Sequence, residues 1–488
     1  MTEPFLTRLA TRLAVLALCM VAAGCTVNPA TGQQSFTAFM SPAEELRIGQ
    51  EQHPKILEEF GGVYQDPGLS RYVGSIGQLL VRTSETPNLN FTFTVLNSPL
   101  VNAFAIPGGF VYVTRGLLAL ADNEAELAGV MAHEIGHVVA RHPAQRYSQA
   151  VAANLGVTLL GVLTNTPHIS RLAGLGANLY LSGYSREQEF EADMLGVRYL
   201  SRARFSPHAM SAFLNKLQAN GALQRSLKNE EGRDPATSLL ATHPRTAERV
   251  ERAIASASLA RVTDPIVAKD IYLNKIDGML YGDDPEQGFI KGRDFIHPKL
   301  GFRFRAPPGF RLFNSARAVT AMGPNGARIL FDSAERRDDE PMLYYLTSRW
   351  ANFLQDTEAI DVNGMQAATG HSLTNTQKGT MDVRLLAIAF DARTIYRFIF
   401  LAPVSEANSR SVDFRRTTYS FRRLRRGEAA SVLPRRIKII MVGSGDSLRS
   451  LADRMPFEDF RLERFQVLNG LASGQKPAPG QMVKIIAD

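Results

Sequence analysis

Cysteine is almost missing from this sequence. Only Cys19 and Cys25 carry thiols among 488 residues, and both lie near the start. The rest of the chain can build neither a disulfide framework nor a thiolate metal site, so a metal bound there must be held by histidine and carboxylate. Long apolar runs are scarce too. The stretch Ala150–Leu163 is interrupted by Asn154 and Gly156 and is about two-thirds of a bilayer-spanning length. It and Leu172–Leu181 read as helices in the core or over a functional cleft, with a membrane-dipping lid as the competing reading. No nucleic-acid motif accompanies the formal charge of +8, so nucleic acid is not an expected partner and anionic lipid or cell-wall polymer remains. The length exceeds what one core supports and predicts two or three domains.

What is present begins with an export signal. Arg8 and Arg12 precede the apolar run Leu13–Ala23, and Ala22, Ala23 and Gly24 lead to Cys25. The segment resembles the lipobox of bacterial lipoproteins, with Ala22 where Leu is commonest; an ordinary signal peptide or short anchor competes. The resemblance implies that residues 1–24 are removed, that Cys25 is lipidated, and that the protein is held in a bacterial cell envelope on the periplasmic side. Thr26 after the cysteine, rather than Asp, favours the outer membrane.

Residues 25–40 read as an extended tether with turn signals at Asn28-Pro29 and Thr31-Gly32. Residues 41–265 alternate helical periodicity with a short β segment, and a polar linker follows around Gly278–Gly292. In 294–425, Gly301–Arg305, Ala327–Phe331, Val383–Phe390 and Ile395–Leu401 read as strands and Leu343–Gln355 as a helix, a small accessory α+β domain. The basic run from Arg415 to Arg426 reads as a solvated strand edge or linker, with contact to anionic polymer second. Residues 431–488 form a last compact unit.

The chemistry concentrates in His133-Glu134-Ile135-Gly136-His137. Asn123 and Glu126 have capping-box spacing, and Leu127, Val130, Met131, Ile135, Val138 and Val139 follow helical spacing, with Pro143 ending the helix. His133 and His137 then project one turn apart from one face, a span that suits one Zn²⁺, and Glu134 can reach the metal's water without being a ligand. A chance match on a surface helix is the bland reading, but two His and a Glu in an apolar-striped helix are costly without a partner. A third ligand is needed. Residues 184–193 hold Glu187, Glu189, Glu191 and Asp193; Glu189 and Asp193 share a face, suiting one as ligand and one as acceptor of a histidine Nδ1–H. Spacing alone does not choose Glu189 over Glu191.

The His133–His137 pattern, then Ser185–Gly196, then Thr242-His243-Pro244, resembles the gluzincin zinc metalloendopeptidases that include the CAAX-prenyl endopeptidases, the heat-shock protease HtpX and the periplasmic quality-control metalloproteases. The resemblance extends upstream to Asn102-Ala103-Phe104-Ala105 and Pro107–Val113 and covers residues 40–255. It implies a mainly helical zincin-like domain with one Zn²⁺ per chain on His133, His137 and Glu189, Asp193 behind them, and Glu134 as the base. Asn102, Ala103, Phe104 and Ala105 would form an edge strand for extended substrate, against a buried hairpin without substrate contact. His243 would be a fourth ligand, an oxyanion donor or a helix cap. Arg249 would neutralise a site carboxylate or stabilise the oxyanion, against the commoner surface or salt-bridge role, and His142 and His168 read as structural or solvent-facing.

Residues 431–488 resemble, more loosely, a LysM domain, a βααβ module, through Ile437–Val442, Gly443–Leu448, Leu468-Asn469-Gly470 and Pro479–Val483. That implies possible binding of peptidoglycan, though fold alone does not carry glycan binding. The expectation is thus an α+β chain: a zinc metalloendopeptidase hydrolysing unfolded or misassembled envelope polypeptides. Its rivals are a non-enzymatic envelope assembly or peptidoglycan-binding factor and a peptidase acting on cell-wall peptides.

Overall fold

The computed structural model describes residues 25–151, 183–228, Leu239, His243 and 247–488 apart from a few short gaps. The predicted signal at 1–24, most of the apolar stretches 150–163 and 172–181, and His168 lie outside the described residues. The chain is α+β and divides into two compact units, one of residues up to 57, 62–281 and 436–487, the other mainly 282–435. No described helix is long and apolar enough to cross a membrane.

The first unit opens with a hairpin, β1 (Cys25–Val27) against β2 (Gln34–Phe36). The turn signals at Asn28 and Gly32 are used, but the expected extended tether is folded. Helices α1 (Pro42–Glu59) and α2 (Pro67–Thr83) follow, then β3 (Thr92–Leu96), β4 (Ala103–Ile106) and β5 (Phe110–Thr114). These strands lie in the order β3-β5-β4, with β3 parallel and β4 antiparallel to β5. Among the described residues β4 is therefore an edge strand. Gly109, at φ +81°, turns β4 into β5 beside the Asn90 carbonyl, where a Cβ would collide.

Next come α3 (Arg115–Leu120), α4 (Glu124–Val139), α5 (Arg186–Arg202), α6 (Ala209–Lys228), α7 (Ala247–Leu259) and α8 (Lys269–Ile276). Asn123 caps α4 by accepting from the Glu126 amide at 2.9 Å, while Glu126 accepts from the Asp122 amide. The helix stops before Pro143. Arg141 turns to φ +58°, and residues 142–151 start a new helix in whose first turn Pro143 sits without penalty. Small residues bring α4 and α5 together: a Cβ on Gly136 would be 3.2 Å from the Ala192 carbonyl, and one on Gly196 3.3 Å from the His133 amide.

The second unit holds β6 (Phe289–Lys291), β7 (Asp294–His297), β8 (Phe302–Arg305), β9 (Arg311–Asn314), β10 (Val319–Met322), β11 (Arg328–Glu335), β12 (Gln355–Val362), β13 (Met365–Thr376), β14 (Gly379–Ala389), β15 (Thr394–Pro403), α9 (Ala407–Ser420) and β16 (Arg422–Arg423). An antiparallel seven-stranded sheet, β12-β13-β14-β15-β11-β10-β9, packs against a four-stranded one, β16-β8-β7-β6. Rings mesh between them, Phe302 with Tyr396 at 4.4 Å and Phe304 with Phe331 at 4.8 Å. On β15, Tyr396, Phe398 and Phe400 face this core while Ile395 joins the core on the opposite face, which makes the strand read as a continuous apolar run. The predicted helix at 343–355 is shorter. One turn at Met342–Tyr344 widens into a π-turn at Tyr345–Trp350, and Gln355 already begins β12. The basic run lies on α9 and at the sheet edge, where Arg422 forms a two-pronged pair with Glu428.

The chain then returns to the first unit. Strands β17 (Arg436–Met441) and β18 (Met482–Ala487) pair antiparallel around α10 (Leu448–Ala452) and α11 (Arg461–Leu468), giving a β-α-α-β order. This segment shares one continuous core with the helices of the first unit: Leu451, Phe465, Leu468, Val483 and Ile486 join the same buried cluster as Leu117, Leu127, Phe213 and Tyr272. Asn469 bridges α11 to β18, its side chain accepting from the Lys484 amide at 2.7 Å and donating to the Lys484 carbonyl at 2.9 Å. Gly470, at φ +61°, leaves the space that the Asp122 carboxylate fills. Fully buried Lys484 donates to the carbonyls of Ala119, Ala121 and Leu120 at 2.9, 2.6 and 3.2 Å and pairs with Asp122 at 3.0 Å. It thus ties the end of α3 to the start of α4. Burial and the neighbouring Lys216 push the Lys484 ammonium down to about 7.

A prediction follows from the shared core. Phe465 is fully buried, and Phe465→Ala should cost about 3–5 kcal/mol. Denaturant unfolding followed by far-ultraviolet dichroism and by protease cleavage within residues 124–139 should shift as one transition. Cleavage there that stays at the wild-type midpoint would instead make residues 436–487 an independent module.

Candidate metal centre

Helices α4 and α5 carry most of the site, and His243 reaches it from outside them. His133, His137, Glu189 and His243 are buried, and one ligand atom from each lies within 4.8 Å of all the others. His133 Nε2 is 3.0 Å from His137 Nε2 and 3.2 Å from His243 Nδ1. Glu189 Oε1 is 2.8 Å from His243 Nδ1 and 3.6 Å from His137 Nε2, and its Oε2 is 3.6 Å from His133 Nε2. Four ligands around zinc at roughly 2.05 Å stand about 3.3 Å from one another, and the spacings here, 2.8 to 3.6 Å, are near enough to that for the four side chains to share one cation.

Proton accounting tests whether a cation fits. His133 Nδ1 lies 3.0 Å from the Asp193 carboxylate, which can only accept, so Nδ1 carries the proton. His142 Nε2 lies 3.1 Å from Glu191 and likewise carries its proton. In neutral His142 the other nitrogen is then an acceptor, and His137 Nδ1, 2.8 Å away, donates to it. Both Nε2 atoms of the ligand pair are left as lone pairs converging on one point. Burial, reinforced by the surrounding imidazoles, holds His137 well below the ordinary histidine pKa and keeps that lone pair free. An electrophile belongs there, and the donor set of three nitrogens and a carboxylate suits zinc.

The anionic side is equally built. Arg249 is buried and grips Asp193 with two hydrogen bonds of 2.8 Å, while its third nitrogen meets Glu189 Oε2 at 2.5 Å. Among the roles weighed for Arg249, the geometry is that of a buried salt bridge to Asp193 and Glu189. Burial opposes ionisation of Asp193, but hydrogen bonds from Arg249 and His133 outweigh it and hold the carboxyl at about 2. Burial also opposes the charged form of Glu189, and His243 outweighs it and lowers the pKa. For His243 the charges of Glu189 and Glu134 overcome burial and raise the pKa. Glu134 has no exposed surface, and neither of its oxygens has a hydrogen-bond partner among the described residues; the nearest basic nitrogen is His243 Nε2 at 3.5 Å.

Asn102 and Thr114 exchange backbone and hydroxyl hydrogen bonds at the base of the β4–β5 hairpin, and Ala103, Phe104 and Ala105 lie on the edge strand, which packs on α4. These residues are buried. Cys25 starts β1.

Tyr184 was not given a role from sequence; it stacks on His137 with ring centroids 3.9 Å apart. His142, read as structural or solvent-facing, is fully buried against His137, and Glu191, left open with Glu189 as the third ligand, is half-buried and bound to His142. Continued as one helix, α4 would put residue 142 about 140° around from residue 137. The left-handed Arg141 folds it back, and helical spacing gave no signal of that.

Comparison with known proteins agrees with this arrangement. Residues 67–257, which include every member of the cluster, match the model of Peptidase family M48. The chain is 31% identical over 249 residues to the beta-barrel assembly-enhancing protease of Escherichia coli (strain K12), covering 48% of this chain and 49% of that protein. It is 34% identical over 189 residues to the protein of the same name from Yersinia pestis, covering 37% and 39%. Over 217 residues it is 29% identical to the mitochondrial metalloendopeptidase OMA1 of Schizosaccharomyces pombe, covering 43% and 59%. The chain spans about half the length of the first two of the curated relatives it matches, or less. The gluzincin resemblance thus holds at the level of the family for this segment.

Proposed function

We propose that this chain, whose residues 67–257 match the M48 peptidases, is a zinc-dependent metalloendopeptidase of the bacterial envelope. The observation that carries the reading is the buried cluster of three histidines and a glutamate beside a carboxylate, Glu134, that has no hydrogen-bond partner among the described residues. His133, His137 and Glu189 would hold the zinc, with Asp193 orienting His133 and Arg249 holding Asp193. When bound, zinc supplies a Lewis acid that polarises the scissile carbonyl and acidifies water. Glu134 takes the proton of the attacking water and passes it to the leaving amine. Strand β4 offers its outer edge to an extended polypeptide by β-augmentation.

The substrate class that fits such backbone recognition is unfolded or misassembled protein. The envelope is supported by the signal-like N-terminus with Cys25 at its end, read as a lipid anchor, and by the name of the Escherichia coli relative. The outer membrane is favoured by Thr26. The β-α-α-β segment is compatible with a LysM-like module, and peptidoglycan contact is the accessory role that reading gives it. A peptidase acting on cell-wall peptides is the second reading. A purely non-enzymatic factor is disfavoured, since a scaffold has no use for Glu134.

His243 closes the shell. A site with four protein ligands is structural rather than catalytic, so we read the described arrangement as a resting form from which His243 must withdraw.

Glu134→Gln should abolish cleavage of an unfolded protein while one zinc per chain stays bound, and chelator should abolish it in the wild type. Substantial turnover by the zinc-loaded variant would defeat the assignment of the base; cleavage of purified peptidoglycan peptides but not of unfolded protein would favour the second reading. His243→Ala should keep zinc and cleave a short peptide faster. A loss of about 10²–10³ in turnover would make His243 an oxyanion donor, and unchanged activity a mere cap. Cys25→Ser should move the protein from the membrane to the soluble periplasmic fraction; retention in the membrane would argue against the lipid anchor.

A further inference from the structure

The two ligand histidines are supported differently. His133 has a carboxylate directly on its Nδ1–H, held in turn by Arg249. The Nδ1 of His137 meets a second imidazole instead, and only beyond that imidazole does a carboxylate appear. We propose that His142, Glu191, Asn28 and Thr31 are positioning residues for His137: a hydrogen-bonded chain, anchored in the N-terminal hairpin, that fixes the direction of its metal-facing nitrogen. This rests on the reading of the cluster as a metal centre.

Each link has a defined donor. His137 Nδ1–H donates to His142 Nδ1 at 2.8 Å, and His142 Nε2–H donates to Glu191 Oε2 at 3.1 Å. Glu191 Oε1 accepts from Asn28 Nδ2 at 2.6 Å and from the Thr31 hydroxyl at 2.9 Å. A fully buried imidazole is costly unless both nitrogens are used, and in His142 both are. The far end is fixed as well. Asn28 is stapled into its turn by the Ala30 amide on its Oδ1, at 2.9 Å, and by its own amide on the Gln33 carbonyl, at 2.8 Å.

The same N-terminal region also grips the segment that presents His142. Gln145 donates to Ser35 Oγ at 3.0 Å, the Phe39 amide donates to Ser148 Oγ at 3.3 Å, and Arg141 donates to the Met40 carbonyl and to Glu45 Oε1 at 2.8 Å each. Residues 28–45 thus hold the chain break after α4 in the shape that returns His142 to His137. A ligand histidine whose second nitrogen is held in this way is fixed in tautomer and ring angle, and losing such a partner typically weakens metal binding about 10–100-fold.

The test uses the full-length protein and zinc alone. Zinc affinity is measured by competition with a chromophoric chelator, alongside the melting temperature of the metal-free form. His142→Ala should bind zinc about 10–100-fold more weakly, as should the reference variant Asp193→Asn. His142→Gln, which keeps an acceptor for the His137 proton, should recover most of the loss. The pair Asn28→Ala with Thr31→Val, three hydrogen bonds from His137, should lower zinc affinity by a smaller factor in a chain whose metal-free form still folds. A wild type that takes up no zinc defeats the metal-centre reading itself. A wild type and Asp193→Asn that behave as expected, with wild-type affinity in His142→Ala, overturn the relay alone. Should His142→Ala fail to fold, the Asn28–Thr31 pair decides, and unchanged zinc affinity there overturns the proposal.

Discussion

Charge balance in a dry interior governs this protein. Glu134, Glu189 and Asp193 are all buried, and the one guanidinium among them, Arg249, is buried too. Isolated carboxylates do not persist in such surroundings; they take up protons or find cations. Arg249 touches only two of the three carboxylates, Asp193 and Glu189, so the cluster as a whole favours a cation. The imidazoles of His133 and His137, with free lone pairs on Nε2, add donors without adding charge. The close packing of α4 on α5 at Gly136 and Gly196, the capping of α4 and the placement of α7 with Arg249 all bring these groups within one another's reach.

Much of this was legible in the sequence because the signals are local. Asn123, Glu126 and the apolar spacing that follows define α4 without knowledge of the rest, and the one-turn offset of His133 and His137 sets their common face. Spacing alone left Glu189 and Glu191 open; the structure puts Glu189 beside His133, His137 and His243 and puts Glu191 behind His142. The parts that were hidden depend on a reversal of the chain. His142 follows a left-handed residue, and Glu191 is half-buried only because a hairpin some 160 positions earlier lies over it. Periodicity carries no record of such meetings. The same holds in the second unit, where the helix expected at 343–355 ends at Trp350 and Gln355 already pairs with His371 on β13.

The C-terminal segment shows a further limit of reading composition along the chain. Its turns, its strands and Leu468-Asn469-Gly470 mark it off as a compact piece. Its apolar faces, however, are completed by helices far away in sequence, and Lys484 ends inside the first unit on the carbonyls that close α3. Asn469 and Gly470 serve this junction as well as the segment's own fold. A segment can therefore have the element order of a portable module and still be part of the scaffold that positions a metal helix.

The hairpin at the start of the first unit has a geometric consequence for where the protein can work. Only Thr26 and Val27 separate Cys25 from Asn28, three residue steps, and a chain spans at most about 3.5 Å per step. With a lipid on Cys25, the leash between bilayer and folded body is therefore no more than about 10 Å, comparable to the layer of lipid headgroups. A protein on so short a leash searches in two dimensions. It would sample chains emerging at, or stalled on, the membrane surface and would seldom reach those free in the space beyond.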